Sequence, residues 1–103
     1  MRIHVVCGAG ASSTFVALRL RKSAAARGLS VHVTAGSESD LDSVLPNVDV
    51  LLVGPHLASR FAAIRLNADA AGVEARLLPD TVFAARDGEE ALALALDAAG
   101  THS

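Results

Sequence analysis

The run Val48-Asp49-Val50-Leu51-Leu52-Val53 constrains the fold more than any other stretch of the chain. It is short, almost wholly apolar and rich in β-branched residues. Such a strand is buried on both faces, and a sheet with both faces covered needs a layer of helices on each side. The rest of the chain supplies the other strands and those layers. Residues 2–6 (Arg-Ile-His-Val-Val) read as strand one, residues 30–34 as strand two and residues 73–78 as strand four. The spaces between them carry helical periodicity. Residues 13–27 place Val16, Ala17, Leu20 and Ala24 on one face, and Gly28 ends the helix. Residues 37–45 form a shorter helix with Ser37 as its cap, Asp40 three residues on and Pro46 after its end. Residues 57–70 align Leu57, Phe61, Ile64 and Ala68, and Gly72 closes that helix. Residues 87–99 turn Leu92, Leu96 and Ala99 inward and keep Glu89 and Glu90 near the positive end of the helix. A β-α-β-α-β-α-β-α order means an α/β fold, a parallel sheet with helices on both faces.

With 103 residues, the chain fits one domain, residues 1–103, with residues 101–103 expected to form a loose tail. Nine basic and eleven acidic residues give a net charge of −2, which argues against nonspecific nucleic-acid binding. No apolar run approaches the ~18 residues of a membrane span, and the N-terminus lacks the charged start and apolar middle of a signal peptide. A cytoplasmic protein with no direct membrane insertion is expected. The single cysteine, Cys7, excludes an internal disulfide and a Cys-rich zinc site. It is either a small buried hydrophobe or a nucleophile, and its position discriminates.

In open α/β sheets the active site lies beyond the carboxyl ends of the strands, where strand order reverses, and strand one flanks that reversal. The segment leaving strand one is Cys7-Gly8-Ala9-Gly10-Ala11-Ser12-Ser13-Thr14, all small or polar. It opens directly into a helix, whose first N–H groups lack internal partners. A loop of this kind cradles an oxyanion or phosphate with backbone N–H groups, and the hydroxyls of Ser12, Ser13 and Thr14 add donors. The same dipoles favour the thiolate of Cys7. Reactivity and geometry agree on accepting a phosphoryl group.

Competing readings of this loop differ in chemistry. A dinucleotide fingerprint is only imitated: the third glycine is missing, and the second strand ends in Val33-Thr34-Ala35 without an acid for a ribose. A small cysteine phosphatase or arsenate reductase places Arg six residues after its cysteine, where this chain has Ser13. Without that guanidinium, the transition state loses its bidentate partner, hydrolysis slows and a phosphocysteine persists. A noncatalytic anion-binding domain is the third class.

The residues Cys7, Ala9, Gly10 and Ser12, with Ser13-Thr14 in reversed order, resemble the Cys-x-Ala-Gly-Met-Ser-Thr-Ser signature of the IIB components of the lactose/chitobiose class of the phosphoenolpyruvate-dependent sugar phosphotransferase system. Asp49-Val50-Leu51-Leu52-Val53-Gly54-Pro55-His56 is similar to that family's Asp-Val-(apolar)-Leu-Gly-Pro-Gln. Phe83-Ala84-Ala85-Arg86-Asp87-Gly88 is similar to its Tyr-Gly-x-x-Asp-Gly. The departures are Ala11 for Met, His56 for Gln and Phe83 for Tyr. The resemblance implies a four-stranded sheet of order 2-1-3-4, similar to small cysteine phosphatases. It implies that Cys7 takes a phosphoryl group from phosphohistidine on a IIA protein and passes it to a sugar bound in the membrane IIC component. The backbone of Gly8, Ala9, Gly10, Ala11, Ser12, Ser13 and Thr14 would be the cradle, and no metal or cofactor is called for.

Gly54, Pro55 and His56, at the exit of strand three, are expected at the rim of this site, with Asp80 and Phe83 beyond strand four. His56 reads either as an acid–base group touching the phosphoryl group or, preferably, as a loop residue at that rim. Asp80 stands where a phosphatase would place its acid but, without a loop arginine, reads as a turn or cap. His4 and His32 lie within strands and are expected to be satisfied there. Arg19, Arg21, Lys22 and Arg27 cluster on the first helix, either as a face for an acidic partner or as an ordinary solvated face.

Overall fold

The computed structural model describes residues 1–7, 10–84 and 87–102. Four strands, β1 (Arg2–Cys7), β2 (His32–Ser37), β3 (Val50–Val53) and β4 (Glu74–Leu77), form one parallel sheet in the order β2-β1-β3-β4. Among the described residues, five α-helices surround it: α1 (Gly10–Ala26), α2 (Leu41–Val44), α3 (Phe61–Ala70), α4 (Thr81–Ala84) and α5 (Glu89–His102). Short 3₁₀ segments, Glu38–Asp40, Leu45–Asn47 and Pro55–Arg60, extend α2 on both sides and lead into α3. The expected α/β sheet of order 2-1-3-4 is the one observed.

The sheet divides two cores. On one face, Ile3, Val5, Val50 and Leu52 pack against Val16, Ala17, Leu20 and Ala24 of α1 and Ala91, Leu92, Ala95 and Ala98 of α5. On the other, Val6, Leu51, Val53 and Ala75 meet Leu41, Leu45, Leu57, Ile64 and Ala68. All four residues of β3 are fully buried, alternating between the two cores, as the apolar run requires. Helices α1 and α3 end in the same way. The N–H of Leu29 reaches Ala24 O at 2.9 Å, and that of Val73 reaches Ala68 O at 2.8 Å. Gly28 and Gly72 sit between with φ of 70° and 75°, a left-handed turn that glycine takes without a Cβ clash.

Several boundaries differ from the sequence expectations. β2 covers His32–Ser37 rather than residues 30–34. Parallel pairing with β1, from Arg2↔His32 to Cys7↔Ser37, carries the strand through Ala35, Gly36 and Ser37 despite their low intrinsic preference. Ser37 therefore ends a strand, and its hydroxyl makes no cap to the following turn. The third helix starts as 3₁₀, with Leu57 off helical geometry (φ −102°, ψ 17°). An additional turn, α4, sits where no element is expected, anchored by buried Val82. The inward stripe of α5 is Ala91, Leu92, Ala95 and Ala98, while Leu96 and Ala99 are only partly buried. The small alanines let α5 lie close against α1 and the sheet. α5 continues to His102, through two residues of the expected loose tail.

Candidate functional site

β1 is flanked on both sides, and its carboxyl end lies in the middle of the sheet edge. Cys7 pairs in register with Ser37 at the end of β2. On the other side the N–H of Gly54 donates to Val6 O at 2.8 Å, so β3 leaves the sheet beside Cys7. α1 begins at Gly10, three residues earlier than its periodicity predicts. Gly10, Ala11, Ser12, Ser13 and Thr14 are thus helical, and the first N–H groups of an α-helix have no partner within it. Cys7 therefore ends a central strand immediately before a long helix, the arrangement in which backbone dipoles favour a thiolate and receive an anion. Gly8 and Ala9 lie outside the described residues, as do the side chains of Cys7, Ala11, Ser12, Ser13 and Phe83.

The expected rim residues occupy different places. Gly54 is buried and extended, half-buried Pro55 opens the 3₁₀ segment, and His56 on its first turn is exposed. Asp80 is exposed within a turn closed by the N–H of Val82 to Pro79 O at 3.1 Å, in keeping with a turn role. Phe83 lies in α4.

The basic cluster of α1 is dispersed by its partners. Arg21 donates through Nε to Val33 O at 3.0 Å, tying α1 to β2. Arg27 pairs with Glu89, which holds that carboxyl below its ordinary value. The Arg19 guanidinium lies 4.0 Å from the centre of the Phe15 ring. Two of the four cations, Arg21 and Arg27, are therefore engaged by other elements.

His32 is exposed at the start of β2. His4 is 2 % exposed, with Nδ1 2.7 Å from Thr34 Oγ1, while its Nε2 finds no partner among the described residues. The expectation of a satisfied strand histidine thus holds for one ring nitrogen only. Burial pushes this imidazole below its ordinary value, against the pull of the Asp40 carboxylate. An ion pair that sequence spacing does not reveal, Arg60 with Glu38 at 2.6 Å, links the segments that follow β3 and β2.

Residues 2–93 match the family described as "PTS system, Lactose/Cellobiose specific IIB subunit". The chain belongs to this family. IIB components are phosphotransferases of the sugar phosphotransferase system, and the chain is accordingly a phosphoryl-transferring IIB subunit. It is 31% identical over 98 residues to the PTS system galactose-specific EIIB component of Lactococcus lactis subsp. cremoris (strain MG1363), covering 90% of this chain and 91% of that one. It is 30% identical over 93 residues to the PTS system lactose-specific EIICB component of Lactococcus lactis subsp. lactis, covering 88% of this chain and 16% of that one. The lactose-specific IIB domain from Streptococcus pneumoniae superposes with a TM-score of 0.82 at 16% identity, covering 94% of this chain and 95% of that one, which supports the fold. Among the described residues, no helix of this IIB subunit is long and apolar enough to cross a membrane.

Proposed function

We propose that this IIB subunit, one carrier domain over residues 1–103, carries the phosphoryl group on Cys7. The thiolate attacks the phosphorus of a phosphohistidine on a IIA protein. The S–P bond forms as the P–N bond breaks, and the freed imidazole takes a proton. At the membrane IIC component a sugar hydroxyl then attacks the same phosphorus. The S–P bond breaks, the thiolate leaves and the hydroxyl proton passes to base or solvent. Backbone N–H groups of the segment from Gly8 to Thr14 hold the three phosphoryl oxygens, and Gly54, Pro55, His56, Asp80 and Phe83 stand at the rim. No metal or cofactor takes part. The protein works in the cytoplasm and meets the membrane through IIC. The relative named EIICB joins B and C components in its name, which favours that partnership.

The observation that carries this reading is the position of Cys7: the last residue of a central parallel strand, just ahead of the N-terminus of α1. A thiolate there has dipoles on the oxygens it must hold and no arginine in the loop to speed hydrolysis. Cys7→Ser removes the nucleophile with little change in shape. Incubated with a phosphorylated IIA donor, the wild type gains the mass of one phosphoryl group, and the variant, with an unchanged circular dichroism spectrum, gains none. Labelling of Cys7→Ser at the wild-type level would place the acceptor elsewhere.

A further inference from the structure

Nε–H of Arg60 donates to Glu38 Oε2 at 2.6 Å. Glu38 is the first residue after β2, and Arg60 is the last of the 3₁₀ segment that follows β3. These are the two strands that flank β1. The pair therefore joins the exits of both neighbours of β1 at the edge where β1 ends on Cys7. Neighbouring strands are about 4.8 Å apart, and Ser37, next to Glu38, is the register partner of Cys7. The Arg60 backbone is fixed at the junction between Pro55–Arg60 and α3, with buried Leu57 as its anchor, while 64% of its side chain is exposed. A long, mostly exposed guanidinium thus stands at the sheet edge where β1 ends.

The segment from Gly8 to Thr14 contains no Arg or Lys, so that segment itself offers a phosphoryl group only neutral donors. A phosphoryl group carries about −1.5 to −2 charges at neutral pH and offers three acceptor oxygens. Glu38 offers a single charge. An exposed Arg–carboxylate pair contributes little, so its exchange for a doubly charged, bidentate acceptor is favourable.

We propose that Arg60 is a phosphoryl-binding residue held in reserve by Glu38. In the dephosphorylated protein Glu38 holds the guanidinium aside. When Cys7 is phosphorylated, Arg60 leaves Glu38 and closes on the phosphoryl oxygens, which stabilises the carrier state. When the group departs, Glu38 recaptures Arg60 and the site empties. The inference rests on Cys7 as the carrier and adds the group that senses its state.

The two residues have opposite effects on one equilibrium, which a merely structural ion pair would not. The full chain is equilibrated with a limiting phosphorylated IIA donor, and the phosphorylated fraction is read by intact mass. Arg60→Ala lowers the equilibrium constant for phosphorylation by about tenfold, the scale of one charge-assisted contact. Arg60→Lys falls between it and the wild type, and Glu38→Gln raises the constant because the competing carboxylate is gone. In parallel, the ¹H–¹⁵N signal of Arg60 Nε–Hε shifts on phosphorylation of the wild type and stays still in Cys7→Ser. If Cys7 is labelled while this signal does not move, or if Arg60→Ala and Glu38→Gln change the constant in the same direction or not at all, the Arg60 assignment is wrong and the Cys7 carrier stands. If Cys7 takes no label, both fall together.

Discussion

His4 shows how one side chain connects sequence, burial and pH. It lies in β1 three residues before Cys7, on the face that carries Val6, with Thr34 on one ring nitrogen and no partner among the described residues on the other. A Cβ at Gly36 would stand 3.3 Å from the ring, so the backbone of β2 itself leans directly on it. Asp40 supplies the opposing charge, and Arg2 and His32 line the same cavity. Burial lowers the imidazole from its ordinary 6.5, so the folded protein resists a proton that the unfolded chain accepts. Stability is accordingly full above that value, falls as pH drops through 6.5 towards the lower folded value, and levels off beneath it. Urea unfolding between pH 5 and 8 at constant ionic strength should show this decline, and His4→Gln should flatten it. The Arg27–Glu89 contact acts in a separate window, below 4.5, because it lowers a carboxyl. An undiminished decline in the His4→Gln variant would assign the proton to another group.

At the level of elements, the Asp87-Gly88 pair quoted from sequence acquires a physical reason. A Cβ on Gly88 would lie 2.5 Å from the carbonyl carbon and oxygen of Arg19 and from the nitrogen of Leu20, all backbone of α1. The N–H of Gly88 donates to Ser23 Oγ at 3.0 Å, and its carbonyl accepts from Leu92 N at 2.8 Å as α5 begins. The start of α5 is thus pressed onto the helix whose first turn faces the Cys7 strand end. Gly88→Ala must push the two helices apart, a strain of about 1–3 kcal/mol. Ser23→Ala leaves a buried N–H unpaired, at about 1–3 kcal/mol. Both losses should appear as lower urea midpoints with unchanged slopes. A Gly88→Ala protein as stable as the wild type would mean that α1 and α5 are not held at this distance.

Across the whole molecule, β3 binds the two layers into one unit. Leu51 and Leu52 are neighbours in sequence and equally inaccessible, yet each belongs to a different core. Truncating either to Ala costs about 2–5 kcal/mol. For a domain of this size each kcal/mol lowers the thermal midpoint by roughly 4–8 °C. Because the strand is shared, each variant should unfold in one transition, with far-ultraviolet circular dichroism and calorimetry coincident. Two separated transitions in Leu51→Ala would mean that the α2–α3 layer melts independently.

Much of the architecture was legible because its causes are local. Periodicity over a few residues identified the strands and helices, and Gly28 and Gly72 marked left-handed turns that depend only on backbone sterics. The short polar segment after Cys7 marked the candidate site for the same reason. The remaining features depend on residues far apart in the chain. β2 runs to Ser37 because β1 pairs with it, Arg21 and Arg27 are drawn off by Val33 and Glu89, and His4 meets Thr34 thirty residues on. Arg60 finds Glu38 only because β2 and β3 flank β1, a separation of 22 residues that no periodicity encodes. Local sterics and hydrophobic patterning thus belong to the sequence by itself. Strand limits, charge partners and the side chains gathered at the sheet edge were decided by tertiary pairing, because their energies exist only once distant segments are in contact.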